Sequence, residues 1–113
     1  EIRIKCSDES QSEKTYQVTG NLFFGSITSF KEGFNPHNDP QKVCIDFANA
    51  RVCDQSGIEA IHGLSERYKA LDKTLYLRHL SPESAKLLQK AGDLVEVNIV
   101  EDPKYPVAND AMA

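Results

Sequence analysis

The spacing of apolar residues along this chain switches repeatedly between a period of two and a period near 3.6, and this switching limits the folds open to it. Alternating apolar and polar residues predict strands at residues 1–6, 15–18, 43–47, 75–77 and 95–99. Segments with helical spacing separate the later strands. The order strand, strand, helix, strand, helix, strand, helix, strand indicates an α/β fold, a mixed β-sheet flanked by about three to four helices.

The clearest helical signal lies in the second half of the chain. Its apolar positions fall within an arc of roughly 140° on a helical wheel; they are Ile58, Ile61, Leu64, Tyr68 and Leu71. The pattern predicts an amphipathic helix of about four turns that begins at Ser56. Ser56 with Glu59 three residues later has the spacing of a capping box, which makes Ser56 the predicted N-cap.

Polar and turn-forming residues predict where the remaining elements begin and end. The polar stretch 7–13 indicates a long hairpin loop, and residues 48–53 a loop after the central strand. The unbroken apolar run Leu22–Phe24 suits a strand end that is buried on both sides. A short helix is expected from an N-cap at Ser26 to about Gly33.

The next predicted helix has an N-cap at Ser81 and runs to Ala91, before Gly92. The 113 residues, 40% of them apolar, suit one compact domain, which we place at residues 1–107. Residues 1–13 would form its leading strand and polar loop, and residues 108–113 a flexible tail. Because the chain starts without Met or a leader segment, a longer parent protein is expected.

Charge and composition argue against several classes of function. The 13 basic residues are outnumbered by 17 acidic ones, so the net charge is −4 with no basic run, and nucleic acid is not an expected partner. No run of 18 apolar residues is present, so the segment is not expected to span a membrane. Three cysteines without paired spacing suit a reducing compartment.

The most suggestive position for function is the junction Asp54, Gln55, Ser56 and Gly57, which follows the central strand and opens the long helix. Loops at the carboxyl end of strands in open α/β sheets often carry function, and helix starts attract anions. A phosphate on Ser56 would add about two negative charges there. The structural alternative makes Ser56 only an N-cap and Gly57 only a close-packing residue.

Two catalytic interpretations of this region fail on geometry. Ser56 and His62 would lie about 9 Å apart along the helix axis and about 120° around it, which forms no catalytic dyad. Glu59 and His62 have the spacing of one half of a di-iron site, but the second half is absent from the sequence.

Metal and nucleotide signatures are also incomplete. Cys44, Cys53 and His62 match no structural zinc spacing and lack a fourth ligand, so packed thiols are expected instead. The stretch 20–25 has two glycines without the lysine and hydroxyl that complete a P-loop. We therefore expect no metal site, no required cofactor and no enzymatic activity.

Two stretches carry a family resemblance. Residues 16–26, YQVTGNLFFGS, and residues 43–57, with VCIDF and then VCDQSG, resemble the opening, central strand and following loop of STAS domains at the C-terminus of SulP-family (sulfate permease) anion transporters. Later landmarks at Leu80-Ser81, Ala91-Gly92 and 102–105 are also similar. The resemblance covers roughly residues 14–107, and it implies the STAS fold that bacterial anti-sigma factor antagonists share.

The resemblance also implies roles for individual residues. In the antagonists a kinase phosphorylates the serine that precedes a glycine, and by that match Ser56 is the candidate phosphorylation site. Gln55 departs from the pattern, because it stands where the antagonists usually have another serine. Gly25 and Ser26 would lie at a neighbouring edge that could face the same ligand or partner.

The function implied by the resemblance is that of a regulatory and protein-interaction domain of a bacterial transporter for sulfate or another small anion. Its implied partners are the transporter's own transmembrane domain and cytosolic regulatory proteins, with a dimer of the parent as a further expectation. The implied location is the cytoplasmic face of the inner membrane, and nucleotide binding is left open. The alternative is a free-standing anti-anti-sigma factor switched by serine phosphorylation.

Overall fold

The computed structural model describes residues 2–90 and 98–100, with Lys90 and the last three by their backbone alone. These residues form five strands and three helices. In chain order they are β1 Arg3–Glu9, β2 Glu13–Leu22, a 3₁₀ turn at Phe24–Ser26, α1 Ile27–Glu32, β3 Lys42–Val52, α2 Gln55–Lys69, β4 Thr74–Arg78, α3 Pro82–Lys90 and β5 Asn98–Val100.

The strands form one mixed sheet in the order β1-β2-β3-β4-β5. β1 is antiparallel to β2, and the other neighbours are parallel. The crossovers from β2 to β5 all advance in the same direction, and right-handed connections then place their helices on one face of the sheet. The contacts agree, because α2 packs against both α1 and α3. The α/β class and the mixed, helix-flanked sheet predicted from the sequence are confirmed.

The core lies between this covered face and the helices. Apolar side chains alternate along β2, β3 and β4, and they meet the predicted apolar arc of α2. Its fully buried members include Val18, Leu22, Phe30, Val43, Ile45, Phe47, Ile61, Leu64, Tyr68 and Leu77. Alternation then places the intervening strand residues on the opposite face, against which none of the three described helices packs.

Two strands are longer than predicted. β1 continues to Glu9 and β2 begins at Glu13, so four of the seven residues of the expected loop 7–13 lie in strands. β1 is an edge strand, and its residues from Lys5 to Glu9 are exposed. Polar residues are therefore tolerated there, and backbone pairing rather than an apolar pattern defines the strand.

The central strand β3 runs to Val52, so the predicted loop at 48–53 is wrong. The register between β2 and β3 shifts after Gln17 and Asp46, which marks a bulge in β3. The Ala48 amide donates to Asp46 Oδ1 at 2.8 Å. The side chain thus accepts a bond from the irregular part of the ladder, and the strand continues beyond it.

The helix ends agree in part with the prediction. α1 is followed by Gly33 as expected, whereas the Ser26 side chain makes no capping bond to it. Ser81 does cap α3, since its Oγ accepts the Ser84 amide at 3.1 Å. The predicted stop at Ala91 and Gly92, the first part of the last strand and the tail 108–113 lie outside the described residues.

A buried carboxylate fastens the loop between α1 and β3 to the core. Asp39 has a side chain only 1% exposed, and Lys14 Nζ lies 3.1 Å from its Oδ1. The hydroxyls of Tyr16 and Tyr68 donate to its Oδ2 at 2.7 and 2.5 Å. Three donors from β2 and α2 therefore satisfy one buried charge, as its burial requires.

Removing one of these donors leaves the buried carboxylate less well satisfied. We expect Tyr68→Phe to lower the free energy of unfolding by about 1.5 to 3 kcal/mol, measured by urea denaturation. Tyr76→Phe is the matched control, because the half-exposed Tyr76 hydroxyl makes no hydrogen bond within the described residues; its effect should stay within about 0.5 kcal/mol. Equal losses of stability in the two variants would contradict the role of the Tyr68 hydroxyl as a donor to Asp39.

The same phenols make stability fall at alkaline pH. Burial and the hydrogen bonds to Asp39 raise the pKa of Tyr68 and of Tyr16 above the ordinary value of 10. Their contribution is complete below pH 10, and it is lost as the pH rises further, because the unfolded chain releases these protons first. Urea titrations above pH 10 should show a steeper loss for the wild type than for Tyr68→Phe.

Candidate functional site

The candidate site lies where β2 and β3 end side by side at the carboxyl edge of the sheet. Leu22 pairs with Val52, and the Cys53 amide donates to the Leu22 carbonyl at 2.9 Å. Two segments leave the sheet from this point. They are the turn 23–26 that leads into α1 and the junction 54–57 that opens α2.

The Asp54 carboxylate joins these two segments. Its Oδ1 accepts the Gly57 amide at 2.9 Å, and its Oδ2 accepts the Phe24 amide at 3.1 Å. Asp54 is therefore the N-cap of α2, with extended backbone angles of −153° and 179°. The predicted N-cap Ser56 is wrong: the cap lies two residues earlier, the helix begins at Gln55, and Glu59 stays exposed.

Ser56 occupies the second position of α2 and is half-buried, while Gln55 before it is exposed. The Ser56 hydroxyl makes no hydrogen bond within the described part of the chain, so the local fold does not depend on it. A negative charge at this position would interact favourably with the positive end of the helix. The geometry leaves Ser56 available for modification, and its role in regulation stays a prediction.

Gly57 has a packing role. A Cβ atom built on it would lie 2.8 Å from the Leu22 carbonyl oxygen and 3.3 Å from Val52 Cγ1. A contact of 2.8 Å with backbone oxygen cannot be relieved by turning a side chain. Glycine therefore lets the first turn of α2 lie directly against the ends of β2 and β3.

Ser26 holds the neighbouring turn through its own side chain. Its buried hydroxyl donates to the Asn21 carbonyl at 2.8 Å and accepts the Phe23 amide at 3.1 Å. Gly25 lies beside it at the surface. The structure thus brings Gly25 and Ser26 close to the Asp54 junction through the bond to Phe24, whereas their contact with a ligand or partner stays a prediction.

Phe23 and Phe24 are the large apolar side chains that remain exposed within the described residues, at 37% and 73%. Their rings meet edge to face with centroids 5.6 Å apart. The prediction that Leu22–Phe24 is buried on both sides is therefore wrong beyond Leu22. Helix α1 starts three residues after Phe24, and no described core residue covers the exposed ring.

The cysteines differ in environment. Cys44 is buried in β3, and burial raises the pKa of its thiol to about 11. Cys53 is exposed, so the expectation that it is packed is wrong. No group of three or more His, Cys, Asp or Glu side chains suited to a metal ion occurs among the described residues.

The STAS domain family model matches residues 5–104, and the chain belongs to this family. It is 32% identical over 89 residues to the putative sulfate transporter YbaR of Bacillus subtilis, covering 79% of this chain. The chain spans only 19% of the length of that relative.

Solved structures share the fold at low sequence identity. The murine anion transporter Solute Carrier 26 family member A9 matches 94% of this chain, over 19% of its own length, with a TM-score of 0.73 and 14% identity. An anti-sigma factor antagonist STAS domain from Rhodobacter sphaeroides matches 67% of this chain and 84% of its own, with a TM-score of 0.62 and 21% identity. Both transporter-linked and signalling STAS domains thus have this architecture.

Among the described residues no helix is both long and apolar enough to cross a bilayer. The described helices are amphipathic elements of the domain, with their apolar side chains packed on the sheet.

The packing role of Gly57 can be tested against a second glycine on the same helix. We expect Gly57→Ala to lower the free energy of unfolding by about 1 to 3 kcal/mol, because the added methyl overlaps a backbone carbonyl. A Cβ on Gly63 would meet nothing within 4 Å, so Gly63→Ala should raise stability by about 0.5 to 1 kcal/mol through helix propensity. Chemical denaturation measures both, and a stabilising Gly57→Ala would refute the close contact.

Proposed function

We propose that this chain is a non-catalytic regulatory and interaction domain of a SulP-type membrane transporter for sulfate or another small anion. The carboxyl edge of the sheet is the proposed contact surface, formed by Phe23, Phe24 and residues 54–57. In this proposal the domain lies at the cytoplasmic face of a bacterial inner membrane. Its partners are its own transmembrane domain and cytosolic regulatory proteins.

The observation that carries this proposal is the shared Asp54 carboxylate. One oxygen holds the first turn of α2, and the other holds the backbone of the exposed Phe24. A displacement of either segment is therefore transmitted to the other. The exposed Phe23–Phe24 pair suits contact with a partner protein. The Ser56 hydroxyl lies at the neighbouring helix start, where a phosphate would change the affinity of this surface for the partner.

The transporter context is supported by the likeness to YbaR, a putative sulfate transporter. The aromatic sequence at Leu22–Phe24 points in the same direction, because it belongs to the resemblance with the transporter branch. The gene that encodes the chain provides a direct test. Ten or more apolar spans upstream of Glu1 would support a transporter, and a reading frame limited to this domain would contradict it.

The second candidate is a free-standing anti-anti-sigma factor switched by phosphorylation. The unused hydroxyl of Ser56 favours it, and so does the structural likeness to an antagonist domain. Gln55 argues against it, because the antagonists usually have a serine there. A short reading frame, together with binding of a partner kinase that phosphorylates Ser56, would establish this alternative.

Ser56→Asp tests the site in either context. We expect its free energy of unfolding to stay within about 1 kcal/mol of the wild type, because the hydroxyl makes no bond in the fold and a carboxylate is tolerated in the first turn of a helix. Docking to the transporter's membrane domain should change by at least about fivefold, the effect of roughly 1 kcal/mol at an interface. Titration calorimetry with the membrane domain measures this, and Ser56→Ala is the matched uncharged control.

Unchanged docking of Ser56→Asp would remove Ser56 from the contact surface. A loss of stability as large as that of Gly57→Ala would instead assign Ser56 a purely structural role.

A further inference from the structure

The face of the sheet opposite the three helices, here called the open face, has an uneven distribution of charge. The strand register identifies its members. Ile4 lies on the covered face, since a Cβ on Gly33 would meet its side chain. Alternation therefore places Arg3 and Lys5 on the open face, and the burial of Val52 on the covered face places Arg51 on it too.

The positive side chains gather toward the carboxyl end of the parallel strands. Arg3 pairs with Thr19, and Lys5 pairs with Gln17. One strand further, Asp46 pairs with Arg78 across β3 and β4. Neighbouring strands lie about 4.8 Å apart, so the row from Lys5 to Arg78 spans about 14 Å. We call this region the cationic half, defined by Arg3, Lys5, Arg51 and Arg78 with the neutral Gln17 and Thr19 between them.

Little negative charge opposes these cations. Arg3, Lys5 and Arg51 are exposed, and none has an ion-pair partner within the described residues. Asp46 is buried, and it lies 3.4 Å from Arg78 Nε. Two exposed carboxylates of this face lie toward the other end of the strands: Asp8 pairs with Thr15 on β2, and Glu13 lies 3.6 Å from Lys42. An acidic chain thus presents a locally positive surface.

The exposed aromatic pair adjoins the cationic half. Phe23 continues β2 in an extended conformation, with backbone angles of −151° and 179°. Since Leu22 before it is on the covered face, alternation directs Phe23 toward the open face. Phe24 beyond it is 73% exposed. The cationic half of the sheet therefore lies next to the apolar rings of Phe23 and Phe24 at the carboxyl edge.

We propose that the cationic half and the Phe23–Phe24 pair form a peripheral contact with the anionic phospholipid headgroups of a membrane. This inference rests on the proposed function, in which the domain is tethered beside a bilayer. Charge complementarity identifies the occupant: basic side chains are attracted to anionic lipids, and adjacent aromatic rings favour the headgroup boundary. A sheet face whose cations are spread over β1, β3 and β4 can engage several headgroups at once.

The contact is weak for an isolated domain and effective for a tethered one. Each basic residue near an anionic surface strengthens binding by about fivefold. Three such residues give on the order of a hundredfold, which suffices to orient a domain already held at high local concentration. Because the charges are exposed, salt should weaken the contact.

The test is co-sedimentation of the chain with vesicles of phosphatidylcholine alone, or of phosphatidylcholine mixed with an equal amount of phosphatidylglycerol. The open-face variant combines Arg3→Gln, Lys5→Gln and Arg51→Gln, and leaves Arg78 with Asp46. The matched control combines Lys31→Gln, Arg67→Gln and Lys86→Gln, three exposed cations of the helical side. Both variants therefore have the same net charge.

The wild type should bind the mixed vesicles more tightly than the neutral ones, with less binding at about 300 mM salt than at about 50 mM. The open-face variant should lose on the order of a hundredfold in affinity and the control variant at most threefold. Phe24→Ser should weaken binding to mixed vesicles at both salt concentrations. Circular dichroism confirms that each variant is folded.

Equal binding to both kinds of vesicle, or equal losses in the two triple variants, would overturn the lipid contact. If the open-face variant instead loses affinity for the isolated membrane domain and the wild type ignores vesicles, the face binds an acidic protein surface and the lipid inference is wrong. The proposed function is tested by other experiments. A reading frame limited to this domain would contradict it, and unchanged docking of Ser56→Asp would remove Ser56 from the contact surface.

Discussion

The direction in which the chain crosses the sheet determines most of this structure. Each parallel strand after β2 is added on the same side of the one before it, so the right-handed crossovers place α1, α2 and α3 on one face. That face must be apolar, because three helices pack on it side by side and bury it. Close packing leaves little room between the helices and the strands. The absence of a side chain at Gly57 lets α2 lie against the strand ends. On the opposite face Thr15, Cys44 and Asp46 are buried at the centre, and the exposed side chains toward its edges include Arg3, Lys5 and Arg51.

The same constraint explains why the candidate site is an edge rather than a cavity. β2 and β3 end together, and each is followed by a segment that turns toward the same covering layer of helices. Their backbone amides at these turns need acceptors. The Asp54 carboxylate supplies two bonds at once, so the stability of a helix start and the placement of an exposed phenylalanine depend on one side chain.

Helices and strands with one apolar face could be predicted from local sequence patterns. The apolar arc of α2 and the alternation in β3 both involve only residues that are close together in sequence. The end of β3 was missed because its continuation depends on the Asp46 side chain at a bulge. Asp54 and Ser56 are both suitable N-caps, and the end of β3 decides between them. The bond from Phe24 to Asp54 joins residues 30 apart in sequence, so no local pattern reports it.

The anchoring of Asp39 limits how this domain can be rebuilt. Surface loops usually accept inserted residues at small cost, and the turn 10–12 between β1 and β2 has the exposed polar residues suited to that. The loop 35–41 is different, because its carboxylate is held inside the core by β2 and α2. Foreign peptides, reporter tags or new chain termini therefore belong in the first hairpin. The longer loop, which looks like the more permissive site, is held in place by the buried side chain of Asp39.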